Sequence, residues 1–344
     1  MKKLMVLLMS FFLFFGFFVY KGKAEGQKGT GKIINGAGAT FPYPLYSAWA
    51  NDYHKDTGIK INYQSIGSGG GIRQITERTV DFGASDMPLK PEEINEKGLL
   101  QFPAVIGGVV LAVNIPEIGE GKIVLDGETL CKIYLGEIKT WADEGIKKLN
   151  PNLKLPEKTI TPVYRSDGSG TTAIFTHYLT EVCPKWAKEV GFGTSVSFKA
   201  GIGAKGNEGV ANYVKRTPYS IGYVEFAYAI QNKLQVTLMK NVKGQIVSPS
   251  IESFKEAAKT SELKPDKHFY AWMTNAHGKK AWPIAGATYI LLAKEKGDIN
   301  KEVVKFFDWA FRKGDKRAEE LDYVPLPEEV KKRIREYWKT YGLY

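Results

Sequence analysis

Cysteine and histidine are scarce in this chain of 344 residues, which has two cysteines, Cys131 and Cys183, and four histidines. No Cys/His cluster has metal-ligand spacing and no His-Glu-x-x-His pattern occurs, so the expectation is no metal and no cofactor. Neither cysteine lies near the N-terminus, which leaves out a lipid-modified N-terminal cysteine. Past residue 24 the sequence has no internal repeat and no low-complexity stretch. Blocks of one charge sign are missing too. Lysines sit among acids, as in "KPEEINEKG" and "KKRIREYWK", the pattern of solvated helix faces rather than of a nucleic-acid surface. The positive balance then implies a mild general attraction for anions, and no nucleic acid is expected as a partner.

What is present points to an exported globular protein. The basic start "MKK" is followed by the apolar block "LMVLLMSFFLFFGFFVY" and then by "KGKAEG", with small residues at Gly22 and Ala24. That order is the order of a secretory signal peptide, so residues 1–24 are expected to be removed by a cut after Ala24. An uncleaved anchor is the competing reading, since a block of about 17 residues is near the lower limit for a membrane span. Cleavage would also remove Lys2, Lys3, Lys21 and Lys23, lowering the formal charge of +11 by four. In an exported protein Cys131 and Cys183 can pair or stay free, and the sequence leaves both open. The length exceeds what one hydrophobic core usually serves, which favours two lobes. The 43% hydrophobic and 25% charged residues belong to ordinary globular proteins rather than disordered ones.

From about Lys32 short apolar runs alternate with amphipathic segments, the signature of an α/β fold with mostly parallel strands. "KIINGAGATF" reads as a strand entering a glycine-rich turn. "PYPLYSAWANDYHKDTG" places Leu45, Trp49 and Tyr53 four apart, has prolines in its first turn and stops at Gly58, so it reads as a helix. "KINYQSIGSGGGIRQITERTV" repeats strand, glycine-rich turn and helix, and "DFGASD" is a short strand. "AVIGGVVLAVN" reads as a strand buried on both faces. "DGETLCKIYLGEIKTW" reads as a helix, and "LPEKTITPVYRSDGSGTTAIFTHYLTEV" as a third strand, turn and helix. "SIGYVEFAYAIQNK" and "AWPIAGATYILLAK" are later strand candidates with adjacent helix, and the C-terminal part reads as two helices broken by Pro325 and Pro327.

In α/β folds ligands bind where strands lead into helices, and three such turns here are rich in glycine. The first N–H groups of a helix lack internal partners and carry partial positive charge, which suits an anion. In "GAGATFPYP" the donors would be the Thr40 hydroxyl and the N–H groups of Thr40 and Phe41. In "IGSGGG" the donor would be Ser68, and in "DGSGTT" they would be Ser169, Gly170 and Thr171. Any one of these is explained by capping; three in one chain favour a ligand. Arg165 precedes the third turn and offers a planar two-pronged donor, with Asp167 placed to orient it or to form a plain surface pair.

Asp86 is the odd member, because a carboxylate repels an anion. It is either a cap or turn residue before "MPLKPEEI" or an acceptor for a proton that the anion still carries. Phosphate near neutral pH keeps such a proton and sulfate keeps none, so an acid at this place would select by repulsion.

The segments "GAGATFPYPLY", "IGSGGGIRQI", "VDFGASDMPL", "FPAVIGGVVLAVN", "DGETLCKIYLGEIKTW" and "RSDGSGTT" resemble, in order, the phosphate-binding subunit of the bacterial high-affinity phosphate ABC transporter. The likeness runs from about Asn35 to "FFDWA" and "LDYVPLP". It implies a periplasmic-binding-protein type II fold of two α/β lobes, with mixed, mostly parallel sheets, joined by a two-segment hinge. Residues 25–105 with 278–344 would form lobe 1 and 106–277 lobe 2. The phosphate ligands implied are Thr40, Phe41, Ser68, Asp86, Arg165, Ser169, Gly170 and Thr171, with Asp167 as partner to the arginine. Gly69 departs from relatives that carry a second serine there, and the two cysteines lie outside the family pattern. The implied partners are inorganic phosphate and the permease of an ABC transporter with its ATPase. The implied state is a periplasmic monomer that is not an enzyme.

Two other functions compete. A serine-dependent phosphatase or esterase would need a base for Ser169, and His177 lies two turns along the helix that Ser169 opens. A receptor for sulfate or molybdate would have no use for Asp86 or for a charged arginine.

Overall fold

The computed structural model describes residues 31–344; the expected signal peptide lies outside the described residues. Among the described residues no helix is long and apolar enough to cross a membrane. The strands that position the site are β1 (Ile33–Gly38), β2 (Lys60–Ser65), β3 (Phe82–Ser85), β4 (Leu99–Val113), β5 (Thr161–Arg165), β6 (Ile202–Ala204), β7 (Ser220–Glu225), β8 (Met273–Thr274) and β9 (Ile284–Ala293). They belong to one ten-stranded sheet in the order β2-β1-β3-β9-β4-β7-β5-β6, with β8 on β9.

The sheet has two wings. In the first, β1 runs parallel to β2 and β3; in the second, β5 runs parallel to β6 and β7. The wings meet through β4, which is buried along its whole length, as expected for the run "AVIGGVVLAVN". Residues Leu99–Gly108 of this strand pair with β9 and Val109–Val113 pair with β7. These junction pairs are antiparallel. The chain leaves the first wing along β4 and comes back into it along β9 in the opposite direction, and β9 pairs antiparallel with β3, β4 and β8, so the parallel pairs of this sheet are those of β1 with β2 and β3 and of β5 with β6 and β7.

The helices follow local rules for the most part. Helix α1 (Tyr43–Thr57) has Pro42 at its N-cap, and Gly58 ends it in the left-handed region at φ 76°. Its buried stripe of Leu45, Trp49 and Tyr53 is the one the four-residue spacing predicts. Helix α2 (Ser68–Thr76) follows β2. Helix α3 (Gly127–Tyr134) is shorter than the stretch "DGETLCKIYLGEIKTW" suggests, because Gly136 turns left-handed at φ 76° directly after it. Helices α4 (Gly170–Val182), α5 (Gly206–Arg216) and α6 (Phe226–Gln231) belong to the second wing.

The C-terminal part forms three helices rather than two: α7 (Gly297–Lys313), α8 (Asp315–Glu320) and α9 (Glu328–Thr340). The extra break falls at Gly314, whose carbonyl accepts from the Trp49 indole at 3.0 Å. A side chain at Gly314 would run into that same indole. Gly314 is the C-cap of α7, behind Arg312 and Lys313 in the last turn, and the α1 tryptophan that binds its carbonyl lies 265 residues away.

Cys131 in α3 and Cys183 at the end of α4 form a disulfide. It closes a loop of 52 residues, a restriction of the unfolded chain of about 4 kcal/mol in the chain-entropy account. It also pins the far end of the helix that begins at Ser169.

Candidate functional site

Each glycine-rich turn delivers polar groups to the junction between the wings. After β1, Thr40 and Phe41 precede α1; both are buried. After β2, Gly67 takes φ 92° and sets Ser68 at the first position of α2. After β5, Ser169 is the N-cap of α4, with its Oγ accepting from the Thr172 N–H at 2.9 Å. The turns from opposite wings touch: the Gly69 N–H donates to the Gly168 carbonyl at 3.0 Å. A side chain on Gly67 would lie 2.5 Å from that carbonyl, which is why this approach takes a residue without Cβ.

Ser68, Asp86 and Gly170 lie side by side. The Asp86 N–H donates to Ser68 Oγ at 3.1 Å, and a Cβ on Gly170 would sit 2.6 Å from Asp86 Oδ2. Asp86 is 2% exposed. Its Oδ1 accepts from Thr288 Oγ1 at 2.7 Å, while Oδ2 is buried with no protein partner. Burial pushes its carboxyl up to about 7, against the opposing pull of the Thr288 hydrogen bond, the Arg165 charge and Ser68. A carboxylate in such a place accepts a proton readily.

Arg165 ends β5, and its side chain is 1% exposed. Its Nε and Nη2 donate to the two oxygens of Asp167 at 2.7 and 2.6 Å. Asp167 Oδ1 also accepts from the Gly206 N–H at 3.0 Å. Burial raises the Asp167 carboxyl, but the hydrogen bonds and charge of Arg165, helped by Gly206, hold it below the usual carboxylate range. Asp167 therefore stays charged and orients the guanidinium. The remaining nitrogen, Nη1, is buried with no protein partner. A guanidinium nitrogen and a carboxylate oxygen, both buried and without a partner among the described residues, are costly unless something pairs with them.

The structure gathers Thr40, Phe41, Ser68, Asp86, Arg165, Ser169, Gly170 and Thr171 at this junction and places Asp167 behind the arginine. Sequence reasoning missed three supporting residues. Thr288 holds Asp86 from a strand without any motif. The Tyr223 hydroxyl accepts the Arg165 N–H at 2.9 Å and lies 2.7 Å from Thr172 Oγ1. Asn207 reaches both Thr40 and Thr171. Only Asn207 carried a signal: "GAKGNEGVANYV" is a fourth turn from a strand through glycine into a helix, with Gly206 at φ 73°.

The site can hold a small oxyanion, with donors from both wings around it and one acceptor. Ser169 Oγ serves as a helix cap for the Thr172 N–H, and His177, the candidate base, is engaged elsewhere. The His177 ring instead stacks on Trp272 at 4.0 Å, and its Nδ1 hydrogen-bonds Thr274 at 2.7 Å. A methyl group at Gly170 would push Ser68 and Asp86 away. Gly170→Ala is therefore expected to lower anion affinity by about 10²-fold, or about 2.7 kcal/mol, as seen by calorimetry, and to lower the melting temperature as well, because buried Ser68 and Asp86 must shift to admit the methyl group.

The model of the PBP superfamily domain matches residues 23–313. The chain is 54% identical over 311 residues to the phosphate-binding protein PstS of Pasteurella multocida, covering 90% of each chain. It is 52% identical over 309 residues to the phosphate-binding protein PstS of Haemophilus influenzae, covering 89% of this chain and 92% of the relative. Among solved structures, a high-affinity periplasmic phosphate-binding protein, PfluDING, bound with phosphate, shares the fold with a TM-score of 0.71 at 24% identity. That match covers 88% of this chain and 93% of the other. A family model matched over most of the chain, and relatives more than half identical along almost their whole length, place this chain in the PBP superfamily, in its family of phosphate-binding proteins.

Proposed function

We propose that this chain is a periplasmic receptor that binds inorganic phosphate between its wings and hands it to the permease of an ABC transporter. Its lobes would be 25–105 with 278–344 and 106–277, joined by β4 and the segment leading into β9. The observation that carries the reading is the pair of buried, unpartnered atoms Arg165 Nη1 and Asp86 Oδ2. A ligand that satisfies both needs an acceptor and a donor on the same small body. Monohydrogen phosphate has both, with its charged oxygens for Arg165 and the turn N–H groups and its proton for Asp86.

Thr40, Phe41, Ser68, Ser169, Gly170 and Thr171 would supply the other hydrogen bonds. Closing the wings removes water, so these bonds act in a low-dielectric site. The ligand-bound, closed population is then what the permease meets. Sulfate offers no proton and would set a bare oxygen against the Asp86 carboxylate, which is the reason to prefer phosphate over another oxyanion. The receptor works as an exported monomer after loss of the signal peptide and carries out no chemistry.

Titration calorimetry of the mature protein with phosphate and with sulfate at pH about 8 tests this. Phosphate is expected to bind at least about 10³-fold more tightly, because an unpaired buried charge costs several kcal/mol. Equal affinities would remove the role given to Asp86.

A further inference from the structure

The first glycine-rich turn has a tyrosine hydroxyl on each of three consecutive carbonyls. Tyr63 of β2 donates to the Ala39 carbonyl at 2.7 Å, Tyr228 of α6 to the Thr40 carbonyl at 2.5 Å, and Tyr323, between α8 and α9, to the Phe41 carbonyl at 2.6 Å. A carbonyl cannot donate, so the direction of each bond is settled. Burial pushes all three phenols up, which keeps them protonated.

A trans peptide is planar, with its C=O and N–H pointing in opposite directions, and the described residues contain no cis peptide. A hydroxyl on the carbonyl of one residue therefore lies behind the N–H of the next. Tyr63 stands behind the Thr40 N–H and Tyr228 behind the Phe41 N–H. Both residues are buried, and among the described residues neither N–H is bonded to the protein. Tyr323 stands behind Pro42, which has no N–H to present.

The three also differ in origin. Tyr63 belongs to the first wing, like the turn, and Tyr323 packs its ring against Phe41 in that turn. Tyr228 reaches over from the second wing and is 6% exposed. The Thr40 carbonyl also accepts from the Tyr43 N–H of its own turn at 3.1 Å, so the peptide keeps its direction without Tyr228. What the shorter bond adds is polarisation, since a donor on the carbonyl makes the N–H of the same peptide a stronger donor in a dry site.

Resting on the phosphate reading, we propose that Tyr228 is a positioning residue that acts through the peptide joining Thr40 to Phe41, strengthening the Phe41 N–H as an anion donor from the opposite wing. That donor is at full strength only when the wings are together, so closure and hydrogen bonding to the anion reinforce one another. Tyr323 makes the same kind of bond one residue further on, at a peptide with no donor, and is the control that the fold itself supplies.

Tyr228→Phe removes the hydroxyl and keeps the ring, and the Thr40 carbonyl keeps its Tyr43 bond, so the variant is expected to fold. Thr-Phe occurs once in the sequence, so isotope labels on threonine carbonyl carbons and phenylalanine nitrogens together single out the Phe41 amide by NMR. With saturating inorganic phosphate the Phe41 amide proton is expected to move upfield in Tyr228→Phe relative to wild type and to stay in place in Tyr323→Phe. Calorimetry with phosphate is expected to show an affinity loss of about tenfold for Tyr228→Phe and of less than about twofold for Tyr323→Phe. An unmoved Phe41 proton or unchanged affinity in Tyr228→Phe, or equal affinity losses in the two variants, would overturn the role of Tyr228 and leave the phosphate reading standing. Failure of the wild type to bind phosphate would overturn both.

Discussion

Arg165→Ala is expected to weaken phosphate binding by about 10³-fold or more, the largest effect of any single substitution in the site. Each hydrogen bond to a charged group contributes about 1.5 to 3 kcal/mol, and the lost positive charge is what balances Asp86 and Asp167 in a dry junction. Breaking one partner from a buried pair costs about 3 to 5 kcal/mol, because the other charge is left alone. The variant should therefore also lose stability. Asp167 has a lowered carboxyl in the folded protein, so the stability it brings is present above its unfolded value and vanishes as pH falls through the folded one. The melting temperature of Arg165→Ala should lag wild type at neutral pH and approach it in acid. Arg165→Lys keeps the charge but not the fork, so it should recover stability better than affinity. A melting difference that is the same at every pH would show that the Arg165–Asp167 pair is not its origin.

Asp86→Asn comes second and acts on choice rather than on strength alone. The amide would turn a donor toward the oxygen that carries the phosphate proton, setting donor against donor, while giving sulfate one more hydrogen bond. The phosphate-to-sulfate affinity ratio is expected to collapse by about 10²-fold or more. Calorimetry with both anions measures it, and an unchanged ratio would remove Asp86 from the selectivity argument.

The same substitution has a second reading without ligand. The Asp86 carboxyl rises from 3.8 to about 7 on folding, so the folded protein holds this proton when the unfolded chain has lost it. Stability from this group is full below about pH 4, falls as pH rises toward 7 and is flat above. Asp86→Asn escapes that loss. It should melt higher than wild type at pH 8, by an amount on the order of 2 to 4 kcal/mol, with the gap closing toward pH 4. Stability lost at the site for the sake of binding is a common pattern.

Most of the machinery was legible because it is local. A strand, a glycine and a helix start lie within ten residues of each other, and their chemistry follows from which N–H groups lack partners. Thr40, Ser68 and Ser169 could be picked out for that reason, and Arg165 for its closeness to the third turn. Asn207 obeyed the same rule and was missed because "KGNEG" looks like a plain capped helix without an obvious anion donor. Thr288 could not be found, since it is an ordinary threonine in an apolar strand, 202 residues from Asp86. The third C-terminal helix was legible in principle, since Gly314 follows Arg312 and Lys313 as a helix stop, but the two prolines drew the break to their own position.

The sequence by itself determined the three turns, the charged pair beside one of them and the single acid that does not belong near an anion. These depend on backbone geometry and side-chain type, which a short stretch of chain specifies. The tertiary structure decided which turns meet, that Cys131 finds Cys183, that Asp86 is buried and that Asn207 reaches both Thr40 and Thr171. Those are consequences of burial and of contacts between distant segments. Desolvation and the direction of a hydrogen bond are properties of the assembled junction, and no residue carries them alone.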